Sequence, residues 1–254
     1  MRLIGLSWLL QLKMASRSAF DGLLSVIYPL FFTTSILLIF RTSTDPQQTM
    51  LIALIGSAVM AVWSATSNRS AHLLQVERRI GTLELLVASP ARFIIVLLPI
   101  TLSMATIGLI SLLTTLIYGR FIFGVVLRIE RPGLFVLAIL VTVLAIGMLG
   151  LVLSLASVRY RGAWALGAAL ELPVWIICGF LFPVSVLPAW VRPLSWVFAP
   201  TWGMNAIRAT ATGGSVSADL IICFGLLLMY AVLAILLSDK VLRSARVHAT
   251  LALS

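Results

Sequence analysis

Hydrophobic positions along this chain form long, nearly unbroken runs instead of the alternating patterns of a soluble fold. Six runs reach the length of about 20 apolar residues that a helix needs to cross a bilayer core. They are Gly22–Phe40, Gln48–Asn68, Ile94–Tyr118, Gly133–Val158, Trp164–Phe182 and Leu220–Ser238. Pro132 stands at the first turn of the fourth, where its missing N–H leaves no hydrogen bond unmade. The pattern predicts an all-α membrane protein with six transmembrane helices.

Two further apolar stretches do not read as spans. The first, residues 1–20, is interrupted by Ser7, Gln11 and Lys13, and no small-residue cleavage site follows it. On a helical wheel Arg2, Lys13 and Arg17 fall within about 60° of one another. This predicts an interfacial helix lying on the membrane. The second, at about 183–214, carries Pro183, Pro188, Pro193 and Pro200, which no single helix tolerates. Trp190, Trp196 and Trp202 lie in it, and tryptophan favours the membrane interface. It reads as short re-entrant helices at the outer leaflet or as a loop on its surface, inserted in one six-span domain covering 21–254.

Composition agrees with the pattern. Charged residues make up 10% and hydrophobic residues 61%, with a mean hydropathy of +1.13, whereas soluble domains carry about 25% charged residues. A net charge of +10 would suggest nucleic acid only on a soluble basic domain. Here it points to anionic lipid and to arginines that hold cytoplasmic loops in place. With the N-terminus inside, Arg2, Lys13, Arg17, Arg69, Arg78, Arg79, Arg92, Arg159, Arg161, Lys240, Arg243 and Arg246 are cytoplasmic. Arg41, Arg120, Arg128, Arg131, Arg192 and Arg208 are then external, a 12 to 6 division of the 18 basic residues. Both termini are therefore expected in the cytoplasm. The loop "GRFIFGVVLRIERP" opposes this division with three arginines on the outer side. Cys178 and Cys223 lie in apolar runs without metal-ligand spacing.

The connector between the second and third spans is the most polar part of the interior. Leu73, Val76, Ile80, Leu83 and Val87 recur at spacings of three and four, as one helix face requires. Glu77, Arg78 and Arg79 point elsewhere, Gly81 interrupts the pattern, and Thr82 is placed to cap a second helix. Glu84 falls in that helix's first turn, where a negative charge suits the dipole. The result is a short amphipathic element along the cytoplasmic membrane surface. Topology alone asks for arginines and not for interleaved glutamates.

"ERRIGTLELLVASP", Glu77 to Pro90, resembles the signature of the type-2 ABC exporter permeases. The stretch "GFLFPVSVLPAWVRPLSWVFAPTWGMNAIRA" is similar to that family's re-entrant region before its last span. The resemblance implies a coupling helix at about 69–90, in which Glu77, Arg78, Arg79, Gly81, Thr82 and Glu84 meet a separate P-loop ATPase. It implies a second permease, either an identical copy or a paralogue, in the inner membrane of a bacterium. ATP and Mg would be held by the partner ATPase and no cofactor by this chain. The outer arginines at 120–131 have no place in the family pattern.

What the chain lacks agrees with this reading. A phosphate-binding loop needs Gly-Lys followed by Ser or Thr, and neither Lys13 nor Lys240 follows a glycine. An intramembrane protease needs a histidine beside a buried serine, or HExxH. His72 and His248 both lie outside the spans, and no HExxH occurs. Glu171 is the sole acid inside a predicted span. It snorkels toward Arg159 or Arg161, sits protonated against a polar neighbour, or lines the substrate path. By the family resemblance, spans two and five also offer Met60, Trp63, Trp175 and Phe180 as lining, although such residues more often simply pack. Spans so poor in charge suit export of an apolar or amphiphilic compound, such as a drug, an antibiotic or a lipid-like molecule. Export of a polysaccharide or lipid-linked glycan is the alternative, ahead of a membrane scaffold or an intramembrane enzyme.

Overall fold

The computed structural model describes residues 2–17, 19–42, 45–68, 93–159 and 163–248. They are helical in the main: α1 Arg2–Arg17, α2 Ala19–Phe40, α3 Pro46–Trp63, α4 Phe93–Ile122, α5 Pro132–Arg159, α6 Ala163–Ile177, α7 Arg192–Trp196, α8 Ala199–Thr212 and α9 Ser217–His248. Four helices among the described residues are long and apolar enough to cross a membrane. Their spanning parts are Pro46–Thr66, Leu97–Ile122, Pro132–Leu155 and Ser217–Ser238. The chain is a multi-pass integral membrane protein.

Local chemistry sets the ends of these helices. Asp45 caps α3 by accepting from the Gln48 N–H, and Pro46 opens the helix where its absent N–H is harmless. At the far end α3 loosens into a π-helical turn, Ser64–Asn68, an arrangement often found where function bends a helix. The fifth apolar run ends sooner than its composition predicts, at Ile177 instead of Phe182. Gly179 adopts a left-handed φ of 72°, and two bonds close the end. Gly179 N–H donates to Ile176 O at 3.1 Å and Phe180 N–H to Trp175 O at 3.1 Å, the pairing of a Schellman cap. Glycine takes that backbone without a Cβ penalty.

α3 is the buried axis of the bundle: 83% of its spanning window is buried, against 22% for α9. α2 and α4 pack on α3, α5 packs on α4 and α9, and α1 packs on α4. Trp8 Nε1 donates to Thr106 Oγ1 at 3.2 Å, so α1 lies against the flank of α4. Leu6, Leu9 and Leu10 stay exposed there. The apolar outer faces of α4, α5 and α9 are suited to lipid.

The proline-rich stretch before α9 resolves into a single turn at Val184–Val186 and then α7 and α8. Pro193 and Pro200 stand in the first turns of α7 and α8, so they start helices as well as end them. α8 is not a surface helix. Ala199, Gly203, Met204, Ala206, Ile207 and Thr210 are buried between α5, α9 and α3. This burial is what makes interrupted backbone tolerable beside spanning helices.

Candidate functional site

Gly56 of α3 meets the turn that follows α6, at Phe180. A Cβ at Gly56 would overlap the Phe180 carbonyl oxygen, so only glycine permits this approach. The same carbonyl accepts a bond from Arg208 Nη2 at 3.0 Å. One oxygen therefore joins α3, the turn after α6, and α8.

Arg208 is 9% exposed, although its sequence position suggests an outer-loop charge. Among the described residues its Nε has no hydrogen-bond partner and no acid forms an ion pair with it. α8 is not a spanning helix, and burial there lowers the Arg208 pKa to about 10. The guanidinium stays charged at neutral pH.

Toward the other end of α3, Ser64 Oγ donates to Glu171 Oε1 across the gap to α6. Of the alternatives open from sequence, the structure gives the half-buried Glu171 a polar neighbour. Ser64 is a partner that the sequence did not announce, because nothing local marks a serine as facing a distant carboxylate.

The proposed lining residues Met60, Trp63, Trp175 and Phe180 are all buried within one hydrophobic cluster. Phe32 of α2 meets Trp175 edge to face, with ring centroids 5.2 Å apart, a favoured aromatic geometry. The indole N–H groups of Trp63 and Trp175 are buried without hydrogen-bond partners among the described residues. A small apolar pocket lies between α3, α4, α5 and α8, lined by residues such as Ile55, Val59, Leu116, Ile139 and Ile207. The expected coupling residues Glu77, Arg78, Arg79, Gly81, Thr82 and Glu84 lie outside the described residues. Among the described residues no cluster of His, Cys, Asp and Glu suited to a metal occurs.

Residues 3–211 match the family model described as ABC-2 type transporter. The chain belongs to that family. This permease is the membrane subunit of an ABC transporter, and the family normally works with separate ATPase subunits. No curated protein matches the permease. Two residues that sequence reasoning passed over, Gly56 and Arg208, bring α3 and α8 of the permease together at the Phe180 carbonyl. The only signal for them was a glycine inside an apolar run and an arginine amid small residues.

Proposed function

We propose that the permease exports an apolar or amphiphilic compound, such as a drug, an antibiotic or a lipid-like molecule. It works as one of a pair, with an identical or paralogous second copy, in the inner membrane of a bacterium. In this reading residues 1–20 form the interfacial helix and 21–254 one six-span domain with both termini in the cytoplasm. The spans α2 and α6 complete the six, and 183–214 is the re-entrant region.

The coupling helix at about 69–90 lies on the cytoplasmic side, with Glu77, Arg78, Arg79, Gly81, Thr82 and Glu84 against the partner ATPase. ATP and Mg bind on that partner. Closure of two ATPase subunits pushes the coupling helices and turns the paired permeases from inward-open to outward-open. Swinging an equilibrium from 1:99 to 99:1 takes about 5.5 kcal/mol of differential binding, which nucleotide on the partner supplies.

The observation that carries the reading is the family match over residues 3–211. The choice of cargo is supported by the chemistry around α3. Met60, Trp63, Trp175 and Phe180 are buried in one apolar cluster, with two indole donors that have no partner among the described residues. In this reading they become a lining when the paired permeases open. Such a wall suits a largely hydrophobic molecule that offers a few acceptors. Glu171, bonded to Ser64, is the fifth residue of the proposed path.

The test is Glu84→Arg in the purified permease–ATPase complex. Loss of cargo-stimulated ATP hydrolysis, with the ATPase subunit's own basal rate retained, is the expected result. Stimulation unchanged from wild type would show that the connector is no lever.

A further inference from the structure

We propose that the loop between α4 and α5 is a docking surface for anionic phospholipid, its arginines holding the headgroup phosphates. Arg120 in the last turn of α4 and Arg128 and Arg131 in the loop run against the rule that basic residues stay in the cytoplasm, and the transport reading gives them no task. The loop's assignment to the outer leaflet rests on the topology proposed above; the binding itself does not.

The loop has a set shape. Val125 is 1% exposed and acts as its anchor, with its N–H donating to Gly119 O at 3.2 Å. Gly124 turns the chain at a φ of 66°. Val126 N–H donates to Gln47 Oε1 at 3.4 Å, and Arg131 N–H to Thr210 O at 3.3 Å. Tied to α3 at one point and α8 at another, the loop presents its side chains with little ordering left to do on binding.

Arg120, Arg128 and Arg131 are all exposed. Arg120 Nη1 donates to Val125 O at 3.4 Å, and none of the three forms an ion pair among the described residues. Glu130 stands between Arg128 and Arg131, its carboxylate beside Gly213, so the patch keeps a net positive charge after that one acid is counted. Beside them Phe121 is 80% and Ile122 66% exposed, an unfavourable display toward water but a natural one toward acyl chains.

The height of the patch selects the occupant. The Leu97–Ile122 span has 26 residues, about 39 Å of helix at 1.5 Å per residue. The hydrocarbon core is about 30 Å thick, so the last turn of α4 stands among headgroups. Guanidinium forks match phosphate oxygens, while the neighbouring apolar side chains reach the acyl boundary. A soluble acidic protein would satisfy the arginines and leave Phe121 and Ile122 unsatisfied.

Native mass spectrometry of the purified, delipidated permease tests this, with titration by phosphatidylglycerol and separately by phosphatidylcholine. Wild type should retain phosphatidylglycerol preferentially, and 0.5 M salt should weaken that retention. The triple variant R120Q/R128Q/R131Q should lose the preference by tenfold or more, since each arginine near an anionic surface is worth about a fivefold change in binding. The lysine version, R120K/R128K/R131K, should keep most of it. The single variants R120Q, R128Q and R131Q give the same reading if the triple change does not fold. Equal retention of both lipids by wild type, or an undiminished preference in the glutamine variants, overturns the proposal. Neither outcome touches the ATPase-coupling test, which reads hydrolysis by a different subunit.

Discussion

Ser64 Oγ hydrogen-bonds to Glu171 although 107 residues separate them in sequence. The bond ties the π-helical turn that ends α3 to the middle of α6, immediately before the connector expected to meet the ATPase. In a low-dielectric interior a carboxyl group needs such partners, because an unsatisfied one is expensive to bury. Ser64→Ala should lower stability by about 1–3 kcal/mol, read as an earlier thermal transition in detergent. Glu171→Gln keeps an oxygen acceptor for Ser64 and should melt close to wild type. A transport KM that moves in Glu171→Gln without a change in melting would mark Glu171 as a cargo contact.

Gly56 offers a sharper test of packing. Gly56→Ala drives a methyl group into the Phe180 carbonyl and lifts it away from Arg208. Overpacking of this kind costs about 1–3 kcal/mol and sometimes more. The expected outcome is poor yield of folded protein, or a melting temperature well below wild type. Gly147→Ala is the matched control, since its new methyl would meet only the Ala105 side chain at 3.7 Å. That change should be neutral or mildly stabilising, as alanine favours helix over glycine by up to about 1 kcal/mol.

Arg208→Ala should destabilise more than Arg208→Met. Both remove the donor to Phe180 and leave that carbonyl with one partner fewer, at about 1–3 kcal/mol. Methionine at least refills the space and removes a buried charge that has no counter-ion among the described residues. Thermal melts of the two variants side by side decide the order.

Tyr230 holds the start of α8. Its hydroxyl donates to Val197 O at 2.6 Å and accepts from Ala199 N–H at 3.3 Å. Tyr230→Phe orphans both backbone groups and should cost about 1–3 kcal/mol. Limited proteolysis of the 183–214 segment should quicken in this variant, and an unchanged digestion rate would count against the clasp.

For the cargo reading, Trp63→Phe and Trp175→Phe keep an aromatic ring but remove the indole N–H and part of the ring volume, so a thermal melt beside the kinetics separates lost packing from a lost donor. If the cargo places acceptors against the indole N–H groups, KM should rise several-fold with kcat nearly constant, because ground-state binding is what is lost. Identical kinetics in both variants would leave the indoles as packing alone.

Four of the six apolar runs coincide with helices long and apolar enough to cross a membrane, because a bilayer demands runs of fixed length and few charges. Asp45 and Pro46 marked the start of α3 through their side chains alone. The family was likewise readable, since a short charged stretch stands out against an apolar background. What hydropathy missed lies in α6 and α8. Leu181 and Phe182 are apolar enough to extend the fifth run, yet the left-handed backbone at Gly179 closes the helix before them. Arg208 counts as an outer charge on any tally of loops, and it is buried.

The sequence by itself thus determined that the chain crosses membranes as helices, where those helices begin, and to which family it belongs. These follow from one-dimensional quantities: length, polarity and motif spacing. Only the tertiary structure decided that Ser64 meets Glu171, that Gly56 and Arg208 share the Phe180 carbonyl, and that α8 is buried. Among lipid-like surroundings apolar residues do not reveal which of their faces meets protein, because tails and side chains are alike in polarity. The choice rests on close packing and hydrogen bonding between segments far apart in the chain.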